Sequence, residues 1–126
     1  MYSHVMLGAN DLDKSKAFYD AVLAVLGYKP GVLDQNGRYF YITDTGIFAI
    51  TKPIDGEPAG NGNGTTIGFA AKTSAEVDAW HAAGIANGGI TCEDPPGIRE
   101  NSHMKLYLAY LRDPAGNKVC AMYRLG

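Results

Sequence analysis

The chain carries one structural phrase twice. His4-Val5-Met6-Leu7-Gly8 reads as a short strand, and a helical pattern containing Phe18 follows it. At an offset of 62 positions, Thr66-Ile67-Gly68-Phe69-Ala70 reads as a second such strand, and Trp80 stands where Phe18 stood. The closing phrases also match, with Tyr41-Ile42-Thr43-Asp44-Thr45-Gly46 in the first half and Tyr110-Leu111-Arg112-Asp113-Pro114-Ala115-Gly116 in the second. A repeated unit too small to bury its own apolar face packs against its copy, and the seam between copies is a natural place for a pocket.

Local patterning supplies the elements. A strand is expected from Tyr2 to Gly8. Asn10 or Asp11 can cap the helix that follows, and apolar residues at Ala17, Phe18, Ala21, Val22, Val25 and Leu26 give it one buried face over Leu12–Leu26. Gly27 stops it. Short extended stretches follow at Gly31–Asp34, Arg38–Thr43 and Gly46–Lys52, with Asn36-Gly37 as a tight-turn signal between the first two. The second half repeats this order. A strand is expected over Thr65–Lys72, then a helix capped by Ser74 and ending near Ala86. Further extended stretches are expected at Ile90–Cys92, about Leu106–Arg112 and Lys118–Arg124. Each half therefore reads β-α-β-β-β. Helices mixed with antiparallel hairpins predict an α+β domain: two modules, about 1–55 and 65–126, forming a curved mixed sheet with a central cleft and helices on the outside. The Gly/Asn-rich stretch Gly56–Gly64 between them reads as a mobile linker or as a lid over a site.

Several function classes fall away on composition. A net charge of −2 favours neither nucleic acid nor an anionic membrane surface. No apolar run reaches the roughly 18–20 residues that span a bilayer, and Met1-Tyr2-Ser3-His4-Val5 lacks the features of a signal peptide, so a cytoplasmic protein is expected. Cys92 and Cys120 share no metal-knuckle spacing and are expected as free thiols.

The paired modules, the strand bearing His4, the helix phrase Asp11-Leu12…Ser15…Phe18-Tyr19 and the turn Arg112-Asp113-Pro114-Ala115-Gly116-Asn117 together resemble the vicinal oxygen chelate superfamily. That superfamily includes glyoxalase I, extradiol dioxygenases, fosfomycin-resistance enzymes and bleomycin-binding proteins. Pro96-Gly97-Ile98-Arg99 with His103 and Tyr107 resembles a glyoxalase-like bacterial branch. Catalytic members hold a divalent ion with His and Glu side chains, one from the first and one from the last strand of each module. By this resemblance His4 is the one candidate metal ligand. Thr66 stands at the matching position of the second module, Cys120 where a Glu is expected, and the fourth position falls near Ile50. One imidazole does not offset the cost of stripping water from a dication, so no cofactor is expected, with an atypical divalent-metal site as the alternative.

Alternation along strands places His4 and Met6 on one side, with Thr66 and Cys120 facing the same cleft if His4 does. Gly8, Gly68 and Ala70 either leave a pocket there or let the modules approach closely. Arg99 has the donor fork to grip an anion, and His103 is a candidate proton-transfer group; the competing reading for both is a solvated loop. Tyr107 is a further candidate ligand contact. Either Tyr39 and Tyr41 or Phe40 are able to line the cleft. The expected function is a glyoxalase-like protein that binds a small organic molecule between its modules, as a homodimer. The competing reading is a metal-dependent lyase, isomerase or dioxygenase of the glyoxalase I type.

Overall fold

A computed structural model describes all 126 residues. The elements run β1 (His4–Gly8), α1 (Leu12–Val25), β2 (Val32–Leu33), β3 (Tyr39–Ile42), β4 (Ile47–Thr51), β5 (Ile67–Ala70), α2 (Ser74–Ala86), β6 (Ile90–Thr91), β7 (Gly97–Glu100), β8 (Lys105–Arg112) and β9 (Lys118–Arg124). They build two sheets, ordered β1-β4-β3-β2 and β5-β9-β8-β6, with β7 also paired to β8. β1 lies parallel to β4 and β5 lies parallel to β9, while the other pairings are antiparallel. The duplication thus survives as topology, and the α+β architecture of two modules is the observed one.

Both helices are punctuated as their sequences require. The Asp11 side chain accepts from the Lys14 N–H at 3.1 Å, and Gly27 leaves α1 with φ of 92°, a left-handed conformation that glycine adopts without Cβ strain. At α2 the expected Ser74 cap is corrected to Thr73. The Thr73 hydroxyl accepts from the Glu76 N–H at 3.0 Å, and the Glu76 carboxylate reaches back to the Lys72 N–H at 3.2 Å. This is close to a reciprocal capping box, displaced one residue from the Ser74 reading.

The helices pack on each other and on one face of each sheet. Phe18, Tyr19, Val22 and Leu23 from α1 meet Val77 and Trp80 from α2 over Tyr41, Phe48, Ile50, Leu111, Val119 and Ala121. The stripe on α1 includes Tyr19, which an apolar pattern does not count, and leaves Ala17 exposed. Close approach of the helices depends on Gly84, where a Cβ would fall 2.2 Å from Leu111 Cδ1 and 3.2 Å from Phe18 Cε1.

A buried polar knot ties the halves together. Tyr19 Oη donates to Asp113 Oδ2 at 2.6 Å, and Asn117 Nδ2 donates both to Asp113 Oδ2 and to the Gly8 carbonyl at 2.9 Å. The Ala115 and Asn117 N–H groups donate to Asp113 Oδ1. The β8–β9 turn of the second module is thereby fastened to α1 and β1 of the first.

Two loop readings change. The stretch around Arg99 is not a free loop, since Gly97–Glu100 pairs with Leu108–Lys105 as a hairpin. The inter-module linker is anchored at its middle: the Ala59 N–H donates to Asn10 Oδ1 at 2.7 Å, and Asn10 Nδ2 donates to the Ala59 carbonyl. Ala59 then lies against β1, where a Cβ on Gly8 would be 3.0 Å from the Ala59 Cβ.

Candidate functional site

Register decides which side chains share a face. Leu7, Ile67, Phe69, Tyr107, Tyr123 and Tyr39 pack against the core on the helix side. Their strand neighbours His4, Met6, Gly68, Ala70, Cys120 and Phe40 belong to the helix-free side. Cys120 pairs with Gly68 on one flank and Tyr110 on the other, and a Cβ on Gly68 would sit 3.1 Å from Cys120 Sγ. Of the strand aromatics, then, Phe40 takes the helix-free face, while Tyr39 and Tyr41 point toward α1.

β1 and β5 are the facing edges of the two sheets, and no backbone ladder joins them. Instead Phe48 of β4 and Phe69 of β5 meet edge to face, with centroids 5.3 Å apart. Beside this aromatic bridge lies a cavity of about 330 Å³, within the usual range for a small-ligand pocket. His4, Ile47 and Phe48 line it from the first module, and Ile67, Gly68 and Ala70 from the second. Thus Gly68 and Ala70 do leave space, whereas Gly8 serves close packing against Ala59. A smaller cavity, about 170 Å³, occupies the other end of the seam between Met6, Gly60–Gly62 of the linker and Lys118.

At the first cavity the Ser3 hydroxyl and His4 Nδ1 are hydrogen-bonded at 2.8 Å, which orients the ring and leaves Nε2 for another partner. Tyr41 also lines this cavity, but its hydroxyl donates to Asp20 at 2.8 Å, so the pocket meets its ring. Burial and the Asp20 carboxylate push the Tyr41 phenol far above its ordinary value, keeping it a neutral donor.

The expected site residues do not converge on one spot. His4 is at the first cavity and Met6 at the second. Thr66 is exposed just ahead of β5. Cys120 lies beneath Gly68 and is 7% exposed. Arg99 donates from Nη2 to the Asp94 carbonyl at 2.8 Å, an internal use of its donors. Tyr107 packs on the helix side, away from both seam cavities, and donates to Asp78 at 2.8 Å. His103 is exposed in the β7–β8 turn, where its N–H donates to Asn101. Lys118, which sequence reading passed over, pairs with Glu93 and lies 5.0 Å from the Tyr110 ring centroid, on the face shared with Cys120. Its alternation with Cys120 along β9 was the available signal.

The donor set does not suit a dication. By register Met6 pairs with Ala49 as Gly68 pairs with Cys120. The fourth position is therefore Ala49, not Ile50, which belongs to the core. His4, Ala49, Thr66 and Cys120 offer one imidazole, no atom, a neutral hydroxyl and a thiol. Burial pushes that thiol up to about 11, with Glu93 and Cys92 adding to the shift and Lys118 opposing it. A thiol must lose its proton before it ligates a metal. Nowhere in the chain do three His, Cys, Asp or Glu side chains gather at metal-binding distance. No helix is long and apolar enough to cross a membrane.

Comparison with known proteins gives this geometry a context. The family model described as Glyoxalase/Bleomycin resistance protein/Dioxygenase superfamily matches residues 2–121. A crystal structure of a glyoxalase/bleomycin resistance protein from Albidiferax ferrireducens T118 is 61% identical, covers 98% of this chain and 99% of its own, and superposes with a TM-score of 0.95. Lactoylglutathione lyase from Agrobacterium tumefaciens is 26% identical over 97% of this chain and 92% of its own, with a TM-score of 0.67. A glyoxalase-related enzyme from Fulvimarina pelagi shares the fold at 18% identity and a TM-score of 0.72, over 97% of this chain and 86% of its own. A search of curated proteins returned no match.

Proposed function

The chain belongs to the glyoxalase/bleomycin resistance protein/dioxygenase superfamily, and from that premise we propose that it binds a small organic molecule at the seam between its modules without the metal site of the catalytic members. The observation that carries this reading is the 330 Å³ cavity between β1 and β5, walled by both modules and lined, of the four candidate donor positions, by His4 alone. Binding there needs only apolar enclosure and one or two oriented polar groups, and the aromatic bridge and His4 supply both.

A second copy of the chain is the partner this reading expects. Val32, Ile42, Ile90 and Met122 stand exposed on the helix-free faces, a dispersed apolar surface that association would cover. Location in the cytoplasm fits the free thiols and is part of the same proposal.

Similarity to a lactoylglutathione lyase and the retained His4 favour a second reading, in which an atypical ion supports lyase or isomerase chemistry. Metal analysis separates the two. Protein purified without chelator is expected to carry well under about 0.1 equivalent of zinc, nickel, iron or manganese, and a small-molecule panel is expected to raise its melting temperature. About one equivalent of metal, lost in His4→Ala, would establish the second reading instead.

A further inference from the structure

We infer that the seam cavity selects an uncharged, ring-bearing organic molecule with one polar group directed at His4, and discriminates against anions such as carboxylates and peptide-thiol conjugates. This rests on the binding reading above and specifies the ligand class. None of the residues lining the cavity is Lys, Arg, Asp or Glu. An ionised group brought into such a lining gives up water and gains no countercharge, so it binds more weakly than a neutral one of the same shape. Met1, at the rim, is fully exposed, so its amino group is held in water.

The walls favour a flat ring. Tyr28, Tyr41, Phe48 and Phe69 all contribute, and aromatic faces and edges pack best against another ring. Tyr41 has committed its hydroxyl to Asp20, and Phe48 and Phe69 have no polar atoms on their side chains. Tyr2, Tyr28, Thr43 and Thr45 also bring hydroxyls to the lining, and Thr43 donates its own to the Gly46 carbonyl. His4 Nε2 is the oriented group, because Ser3 holds Nδ1. A neutral imidazole donates or accepts through Nε2 according to its tautomer, so it matches a hydroxyl or carbonyl equally. Lys118 and Arg99 do not contradict this. Neither lines this cavity, and each is engaged elsewhere, with Glu93 and the Asp94 carbonyl.

Three probes that share a naphthyl ring system and differ in charge test the inference by calorimetry near neutral pH: 2-naphthol, 2-naphthoate and 2-naphthylmethylamine. We expect 2-naphthol to bind saturably, one per chain, with the anion and the cation each at least about tenfold weaker. His4→Phe should weaken 2-naphthol about fivefold while keeping the ring wall, the loss of one hydrogen bond. His4→Arg should bring 2-naphthoate up to or past 2-naphthol. Ala70 is exposed on β5, so Ala70→Phe should fold, with an unchanged circular dichroism spectrum, and abolish binding of 2-naphthol. If 2-naphthoate matches 2-naphthol in the natural protein and Ala70→Phe abolishes both, the charge selectivity is overturned while small-molecule binding stands. Binding unaffected by Ala70→Phe overturns the placement in this cavity. Failure of all three probes at millimolar concentration, while the small-molecule panel still raises the melting temperature, overturns the inference and leaves the binding reading standing; no response in either test overturns both.

Discussion

Tyr19 and Asp113, 94 residues apart, share a 2.6 Å hydrogen bond in the buried interior, the hydroxyl donating to the carboxylate. Asp113 is 3% exposed and pairs with no cation. Four donors compensate its burial: the Tyr19 hydroxyl, the Asn117 amide and two backbone N–H groups. Burial, then the adjacent carboxylate, raise the Tyr19 phenol well above its ordinary value, so it stays a donor at any physiological pH. Tyr19→Phe is expected to lower stability by about 1–3 kcal/mol in urea unfolding, and Asp113→Ala by more, because it strands several buried donors. If Asp113→Ala unfolds no more readily than Tyr19→Phe, the knot does not fasten the modules.

The helix contact gives a prediction of opposite chemical character. Alanine at position 84 would gain about 1 kcal/mol of helix propensity, yet its Cβ would overlap Leu111 and crowd Phe18 and Val22. Overpacking of this size costs about 1–3 kcal/mol, so Gly84→Ala should destabilise on balance. Restoration by Leu111→Ala in the double variant, read by thermal unfolding, is the expected compensation.

Acid sensitivity is expected at Asp20. Burial alone would raise its carboxyl, but hydrogen bonds from the Gly31 N–H, Lys16 and Tyr41 outweigh it and hold the group below its ordinary 3.8. A group depressed in the folded state contributes stability above its unfolded value and loses it as pH falls through the folded one. Melting temperature should thus be insensitive to Asp20 between about pH 5 and 8 and fall below about pH 4. Asp20→Asn should be less stable at neutral pH and show a shallower decline on acidification. A decline as steep as that of the natural protein would assign the acid sensitivity to other carboxyls.

Cys120 should be a sluggish nucleophile. Its thiol is pushed up to about 11 by burial, and only the thiolate is alkylated readily. In Cys92→Ser protein, iodoacetamide should label Cys120 slowly near pH 8 and progressively faster as pH approaches that value. Rapid labelling at pH 8 would show a more exposed or more acidic thiol than the 7% exposure implies.

Self-association is expected to depend on the helix-free faces. Sedimentation should show a mass of two chains, and Ile42→Lys combined with Met122→Lys should shift it toward one. A single-chain mass in the natural protein would remove the dimer from the proposal.

Much of this architecture was legible in the order of residues, because its causes are local or repeated. The Phe18 and Trp80 helices, their glycine stops and the strand succession apart from β7 follow from 3.6- and 2-residue periodicities and from turn chemistry, which act within a few residues. Misreadings came where a neighbour in sequence was not the deciding one. Thr73 displaced Ser74 because its extended backbone aims the hydroxyl at Glu76, and the stretch around Arg99 became a strand because β8 supplies its ladder.

By itself the sequence determined two similar modules with a helix and extended stretches in each, since periodicity and turn spacing settle those. Only tertiary packing decided that Ala49 is the counterpart of Cys120, that Lys118 shares its face, and that a cavity opens where two unpaired strand edges meet. Cavities and buried polar contacts arise from the relative placement of residues distant in the chain, such as Phe48 and Phe69 or Tyr19 and Asp113. No local propensity encodes that placement.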